Sequence, residues 1–138
     1  AALVHSSFYA VLAECHGKAG EFDTGLALIA EGLTHVERSG ERSSEAELLR
    51  VQGELLLSKS PNEQAASQSI EKAIKVGREE AVEWCWVRGS ESLARLWQRQ
   101  GKRKEAHDLL APIYEWFTEG FDTKDLKEAK ALLDELHN

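Results

Sequence analysis

Ser44-Glu45-Ala46-Glu47-Leu48-Leu49-Arg50-Val51-Gln52-Gly53-Glu54-Leu55-Leu56-Leu57 is the stretch that decides the fold. Its apolar residues recur at helical spacing, and Ser44 stands three residues before Glu47, which reads as a capping box opening an amphipathic helix. The small residue in its middle, Gly53, belongs to a series: Ala13, Gly53 and Ala94 lie 40 and 41 residues apart. Gly25, Ala66 and Ala106 form a second series with gaps of 41 and 40. A step this regular predicts an array of stacked helix pairs. Within each unit the two small residues are 12 or 13 positions apart, which places one on each of two consecutive helices where their backbones cross closely.

Working outward, Leu3, Phe8, Val11, Leu12 and Cys15 predict a first helix that ends between Gly17 and Gly20. Phe22, Leu26, Ile29, Leu33 and Val36 predict a second, closed by Ser39-Gly40. The third helix ends at Ser60-Pro61-Asn62. Ala66, Ile70, Ala73, Ile74 and Val76 mark the fourth, with its boundary near Gly77. The fifth spans Glu80 to Gln100 and carries Val82, Trp86, Leu93, Leu96 and Trp97. After Gly101 comes a sixth with Ala106, Leu109, Leu110, Ile113, Tyr114 and Phe117, in which Pro112 should cause a bend. Beyond Glu119-Gly120-Phe121, Leu126, Ala129, Leu132, Leu133 and Leu136 predict a seventh helix capped by Asp122 or Thr123. The expected architecture is all-α: a short right-handed αα superhelix filling residues 1–138 as one domain. Its units cover about 3–40, 44–79 and 80–119, and a capping helix at 122–137 shields the last apolar face. No segment carries a strand pattern.

Composition narrows the function classes. Hydrophobic residues at 42 %, charged residues at 30 % and only two prolines suit a folded helical protein. A net charge of −7, from 24 acidic against 17 basic side chains, repels a phosphate backbone, so nucleic acid is not an expected partner. No apolar run reaches the roughly 20 residues that cross a bilayer, and no export signal opens the chain, so no membrane partner and a cytoplasmic location are expected. Cys15 and Cys85, outside any CxxC, read as reduced packing thiols. The start at Ala-Ala-Leu-Val inside helical pattern, with no methionine anywhere, predicts a fragment from the C-terminal end of a longer protein.

The residues offer little to catalysis. Cys15 and His16 are adjacent, so on a helix they point about 100° apart and form no dyad. His5 and His16, eleven residues apart, share a face but are too distant to bind one metal alone. No GxxxxGK[ST] or GxGxxG cradle occurs. The expectation is no enzyme, no metal and no cofactor.

In these positions the units resemble tetratricopeptide repeats. The matching residues are Leu12, Ala13, Gly20, Gly25 and Gly32 in the first unit, Gly53, Ala66 and Ala73 in the second, and Leu93, Ala94, Gly101 and Ala106 in the third. The period exceeds the family's usual length of about 34 residues. Ser58-Lys59-Ser60-Pro61 replaces the turn glycine in the second unit, and the repeat-ending proline is absent. Residues 47–136, especially Leu48 to Leu57, Ser92 to Trp97 and Trp116 to Thr123, are similar to the C-terminal tails of large bacterial signalling proteins. Those proteins join a nucleotide-cyclase or DNA-binding domain to an ATPase module and a tetratricopeptide tail. The resemblance implies an interaction or regulatory module whose first helices line a concave inner wall.

On that wall, aligning Gly53 with Ala94 places Glu47, Arg50 and Glu54 of the second unit beside Arg88, Glu91, Arg95 and Arg99 of the third. Arg50, Arg95 and Arg99 are the leading candidates, since an arginine fork suits carboxylates and three of them would form a local positive groove for an acidic peptide. The competing expectation is a charge lattice in which Glu47, Glu54 and Glu91 neutralise them. The two-asparagine pattern of carboxylate-clamp repeats is missing. Candidate occupants are a protein or peptide, another module of the same chain, or a second copy forming a homodimer. A small-molecule sensor with a pocket of Arg95, Arg99 and Trp97 is the alternative. Trp84 and Trp86, about 200° apart on one helix, cannot both face inward, so one meets a neighbouring repeat and the other an interface.

Overall fold

The computed structural model describes residues 6–59, 63–116 and 123–137. They form α1 (Ser6–Lys18), α2 (Phe22–Ser39), α3 (Arg42–Lys59), α4 (Glu63–Glu79), α5 (Glu83–Arg99), α6 (Arg103–Trp116) and α7 (Lys124–His137). No strand occurs among the described residues, and none of their helices is long and apolar enough to cross a membrane. The all-α helical-repeat architecture is as expected. Leu3, His5, Pro61, Phe117, Gly120, Phe121 and Asp122 lie outside the described residues.

The two small-residue series do what their spacing requires. A Cβ added at Gly25 would lie 3.0 Å from the Ala13 carbonyl oxygen, and one at Gly53 would lie 3.1 Å from that of Ala66. The backbones of α1 and α2, and of α3 and α4, therefore cross at these residues. Ala94 and Ala106 are fully buried in one cluster between α5 and α6. Larger side chains of the next unit plug the small-residue holes: Leu48 reaches Gly32, and Leu55 reaches Gly17 and Gly25.

Packing is local along the array. Each helix touches only the next helix or the next but one, the signature of a quasi-one-dimensional solenoid. Every close next-but-one backbone approach joins odd-numbered helices: α1 meets α3, α3 meets α5 and α5 meets α7, whereas the backbones of α2, α4 and α6 stay apart from one another. The odd helices thus form the inner wall and the even ones the outer layer. α7 takes the inner place of a fourth unit, and Leu126, Ala129, Leu132 and Leu136 are its buried stripe.

Two local readings change. α3 begins at Arg42, so Ser44 is inside its first turn with its N–H on the Glu41 carbonyl at 3.2 Å, and the capping box is not used. α4 runs through Gly77 to Glu79, because Gly77 packs against Trp86 rather than breaking the helix. α6 runs past the exposed Pro112 to Trp116, as its apolar pattern predicted. Thr123 is positioned as the predicted cap, its hydroxyl 3.5 Å from the Leu126 N–H.

The true break before α5 is Ala81, with φ 55°, the one non-glycine residue in the left-handed region among those described. It repeats the termini of α1 and α5, where Gly20 (φ 82°) and Gly101 (φ 80°) hold the same place. In all three, the following N–H bonds the carbonyl five residues back at 2.8 Å: Glu21 to His16, Val82 to Gly77 and Lys102 to Trp97. An alanine Cβ costs about 1–2 kcal/mol in this conformation, and a flexible unfolded glycine returns part of the gain. Ala81→Gly is expected to stabilise the fold by about 0.5–1 kcal/mol, read as a higher urea midpoint at unchanged slope.

Candidate interaction groove

The inner wall encloses an open cavity of about 430 Å³, lined by Glu14 and Lys18 of α1, Arg50 and Glu54 of α3, Arg88, Glu91, Ser92 and Arg95 of α5, and Lys124, Asp125 and Glu128 of α7. Five of the seven sequence candidates meet here: Arg50, Glu54, Arg88, Glu91 and Arg95. Glu47 stands behind them as a support for Arg50. Arg99, one turn beyond Arg95, is exposed outside the cavity, and Trp97 packs against the buried clusters that hold Leu93, Leu96, Ala106 and Leu110. The pocket of Arg95, Arg99 and Trp97 therefore does not form.

Arg50 is the centre of the site and its side chain is only 5 % exposed. Its guanidinium grips Glu47 in a two-point fork, Nε to Oε2 at 2.9 Å and Nη2 to Oε1 at 2.6 Å. Nη1 donates to Glu54 at 2.8 Å and Nη2 also to Glu14 at 3.3 Å, tying α1 to α3. Burial favours discharging the group, but the hydrogen bonds it donates to Glu47 and the charges of Glu54, Glu47 and Glu14 outweigh it and hold the pKa above the usual arginine value. With its donors committed, Arg50 is a structural tie between repeats rather than a free contact for a partner.

The network continues into α5. Ser92 donates to Glu54 at 2.9 Å, and the Cys85 thiol sits 3.5 Å from Glu47. Burial, with the Glu47 charge, pushes the Cys85 thiol pKa well up, so this sulfur stays protonated and unreactive. Arg95 pairs with Glu91 at 3.0 Å and Arg88 with Asp125 at 3.0 Å, yet both arginines keep 50 % and 43 % of their side chains exposed. The expectation of a positive groove is corrected: five acidic and five basic side chains line the cavity, so the wall is charge-balanced. The arginines fall opposite carboxylates one helical turn away or on the next inner helix, which is the lattice the same residues also allowed.

Glu91 is nearly buried, and burial is the main cause of its raised carboxyl pKa; Arg95 opposes the shift, while Glu128 and Asp125 add to it. A raised folded pKa means the native state binds the proton more tightly than the unfolded chain. Stability from this group is then greatest below the unfolded value of 4.5 and is lost as pH rises through the folded value. Glu91→Gln is expected to stabilise by roughly 1 kcal/mol at pH 7 and to have little effect near pH 4, checked by urea unfolding at both pH values.

The residues missed on this wall divide by cause. Glu14 lies 40 positions before Glu54, so extending the step backward would have found it. Lys124, Asp125 and Glu128 sit on α7, which lies outside both small-residue series. A second polar cluster was also missed: the Ser6 hydroxyl donates to Glu41 at 3.2 Å and lies 2.7 Å from His35 Nδ1. One hydroxyl hydrogen serves one acceptor, so with it on Glu41 the His35 Nδ1 must donate, the reverse of a base activating a serine. Ser6 is fully buried. The two tryptophans face apart: Trp86 packs against Gly77 of the preceding unit and on Trp116 at 5.3 Å, while Trp84 is exposed with Arg88 stacked over it at 5.2 Å. No protein-family profile matches the chain, and comparison with characterised proteins gives no significant match.

Proposed function

We propose that this chain is a tetratricopeptide-like interaction module that receives an acidic protein segment along its inner wall and thereby regulates a bacterial signalling protein in the cytoplasm. The observation that carries the reading is the continuous inner wall of α1, α3, α5 and α7, whose charged side chains converge on one open cavity. Three exposed cations stand on its α5 and α7 half, and a fourth, Lys18, on α1. Arg88 and Arg95 are about half exposed, and the Lys124 side chain is 84 % exposed with only a loose 3.9 Å contact to Glu128. Arg95 has Glu91 as its ion-pair partner on one side and keeps half of its side chain exposed on the other. Carboxylates of a partner would replace the exposed intramolecular pairs, which are worth only about 0–1 kcal/mol each.

Fluorescence anisotropy with labelled short peptides of acidic, neutral and basic composition tests this at low and physiological salt. Acidic peptides are expected to bind best, with affinity falling as salt rises and dropping about tenfold in Arg95→Ala with Lys124→Ala. Equal binding of all three compositions, or none altered by the double substitution, would overturn it. A small anionic metabolite is the second reading, favoured by a cavity volume of about 430 Å³. Affinity that does not grow with peptide length would favour it.

A further inference from the structure

At the α1 end of the array, Phe8, Val11 and Cys15 stand at i, i+3 and i+7 and form one stripe. It lies on the side of α1 opposite Ala10 and Ala13, which are buried against α3. Phe8 is 52 % and Val11 57 % exposed, and Cys15 is exposed as well. Single exposed apolar residues are ordinary on a surface; three aligned on one helix are not.

The repeat itself states what such a stripe is for. Moving forward by the 40-residue step, Phe8, Val11 and Cys15 become Leu48, Val51 and Leu55. In α3 these are 0 %, 2 % and 5 % exposed, buried in one cluster with α1 and α2 residues. Leu48 fits against Gly32, and Leu55 against Gly17 and Gly25. Phe8 and Cys15 are therefore the same knobs without their holes.

We propose that the bare face of α1 docks a further helix hairpin of this repeat kind, stacked in line with the array, whose second helix turns small residues seven apart toward Phe8 and Cys15. A second copy of the chain does not offer this complement. Its own holes at Gly25 and Gly32 are filled by Leu55 and Leu48, and the outer side of its α7 end presents Lys127, Lys130 and Asp134. This surface is independent of the inner-wall reading, since none of its three residues lines that cavity.

The test places a second copy of residues 1–40 directly ahead of the chain, with its own cysteine changed to Ser, so that the 40-residue step brings its two glycines onto Phe8 and Cys15. Iodoacetamide labelling of Cys15 is then expected to slow at least tenfold relative to the chain alone, while buried Cys85 stays unlabelled in both. Phe8→Glu is expected to restore the fast rate in the extended chain and to leave the unextended chain folded. An unchanged Cys15 rate in the extended chain would overturn the proposal. So would an unextended chain of doubled light-scattering mass whose Cys15 is already protected, since that result assigns the face to a second copy.

Discussion

Arg50→Leu is expected to destabilise the fold by about 3–5 kcal/mol, a drop in melting temperature on the order of 10 °C. The loss has two sources. The guanidinium joins Glu47 and Glu54 within α3 to Glu14 of α1, so its removal leaves three carboxylates facing one another. Glu14 and Glu54 are 42 % and 38 % exposed and can turn to water, whereas Glu47 is only 14 % exposed and keeps the uncompensated charge. Adding Glu47→Leu should therefore recover a large part of the loss, because a buried pair replaced by apolar groups of similar volume is often neutral. Arg50→Lys should recover little, since an ammonium cannot reproduce the two-point fork on Glu47. Urea unfolding followed by tryptophan fluorescence reads all three; a loss below about 1 kcal/mol for Arg50→Leu would reduce Arg50 to an ordinary surface pair.

Gly53→Ala is expected to cost about 1–3 kcal/mol even though alanine is the better helix former by about 1 kcal/mol. The added methyl would sit 2.4 Å from Ile70 Cγ1 and 3.1 Å from the Ala66 carbonyl oxygen. Ile70 is fully buried and branched at Cβ, and a backbone carbonyl cannot step aside, so α3 and α4 must separate. Gly77→Ala supplies the contrast. The nearest atoms to its methyl would be those of Trp86 at 3.4–3.5 Å, an ordinary contact, so the propensity gain should prevail and raise stability by about 0.5–1 kcal/mol. Opposite signs for the same change at two helical glycines, read from thermal midpoints, would establish the α3–α4 crossing as the tight point of the second unit. Equal signs would remove that distinction.

The helices and their crossings were legible because they follow from spacing: Ala13 with Gly25 and Gly53 with Ala66 meet where the series places them. Helix ends were less legible. Nothing about Ala81 advertises a left-handed turn, and Gly77, which does look like a breaker, serves instead to let α5 approach. At the groove, the helical register placed five of the seven candidate side chains correctly on the cavity. It could not tell which arginine is free, because that depends on distances between helices far apart in sequence. Arg50 and Arg95 read alike along the chain, yet one is enclosed by carboxylates from two helices and the other has a single partner and an open flank.

The contact pattern of odd and even helices also has a mechanical meaning. Successive inner helices approach one another closely, while the backbones of successive outer helices stay apart. A small rotation of one pair about the inner line opens or closes the gaps between α2, α4 and α6 without breaking a packed outer interface. The ion pairs of the inner wall therefore lie along a fulcrum, and the outer helices are the long arms. A change of tenths of an ångström in the span from Glu14 to Arg50, or from Arg88 to Asp125, would appear at the rim as a larger displacement. A spacing probe on the outer helices would report it.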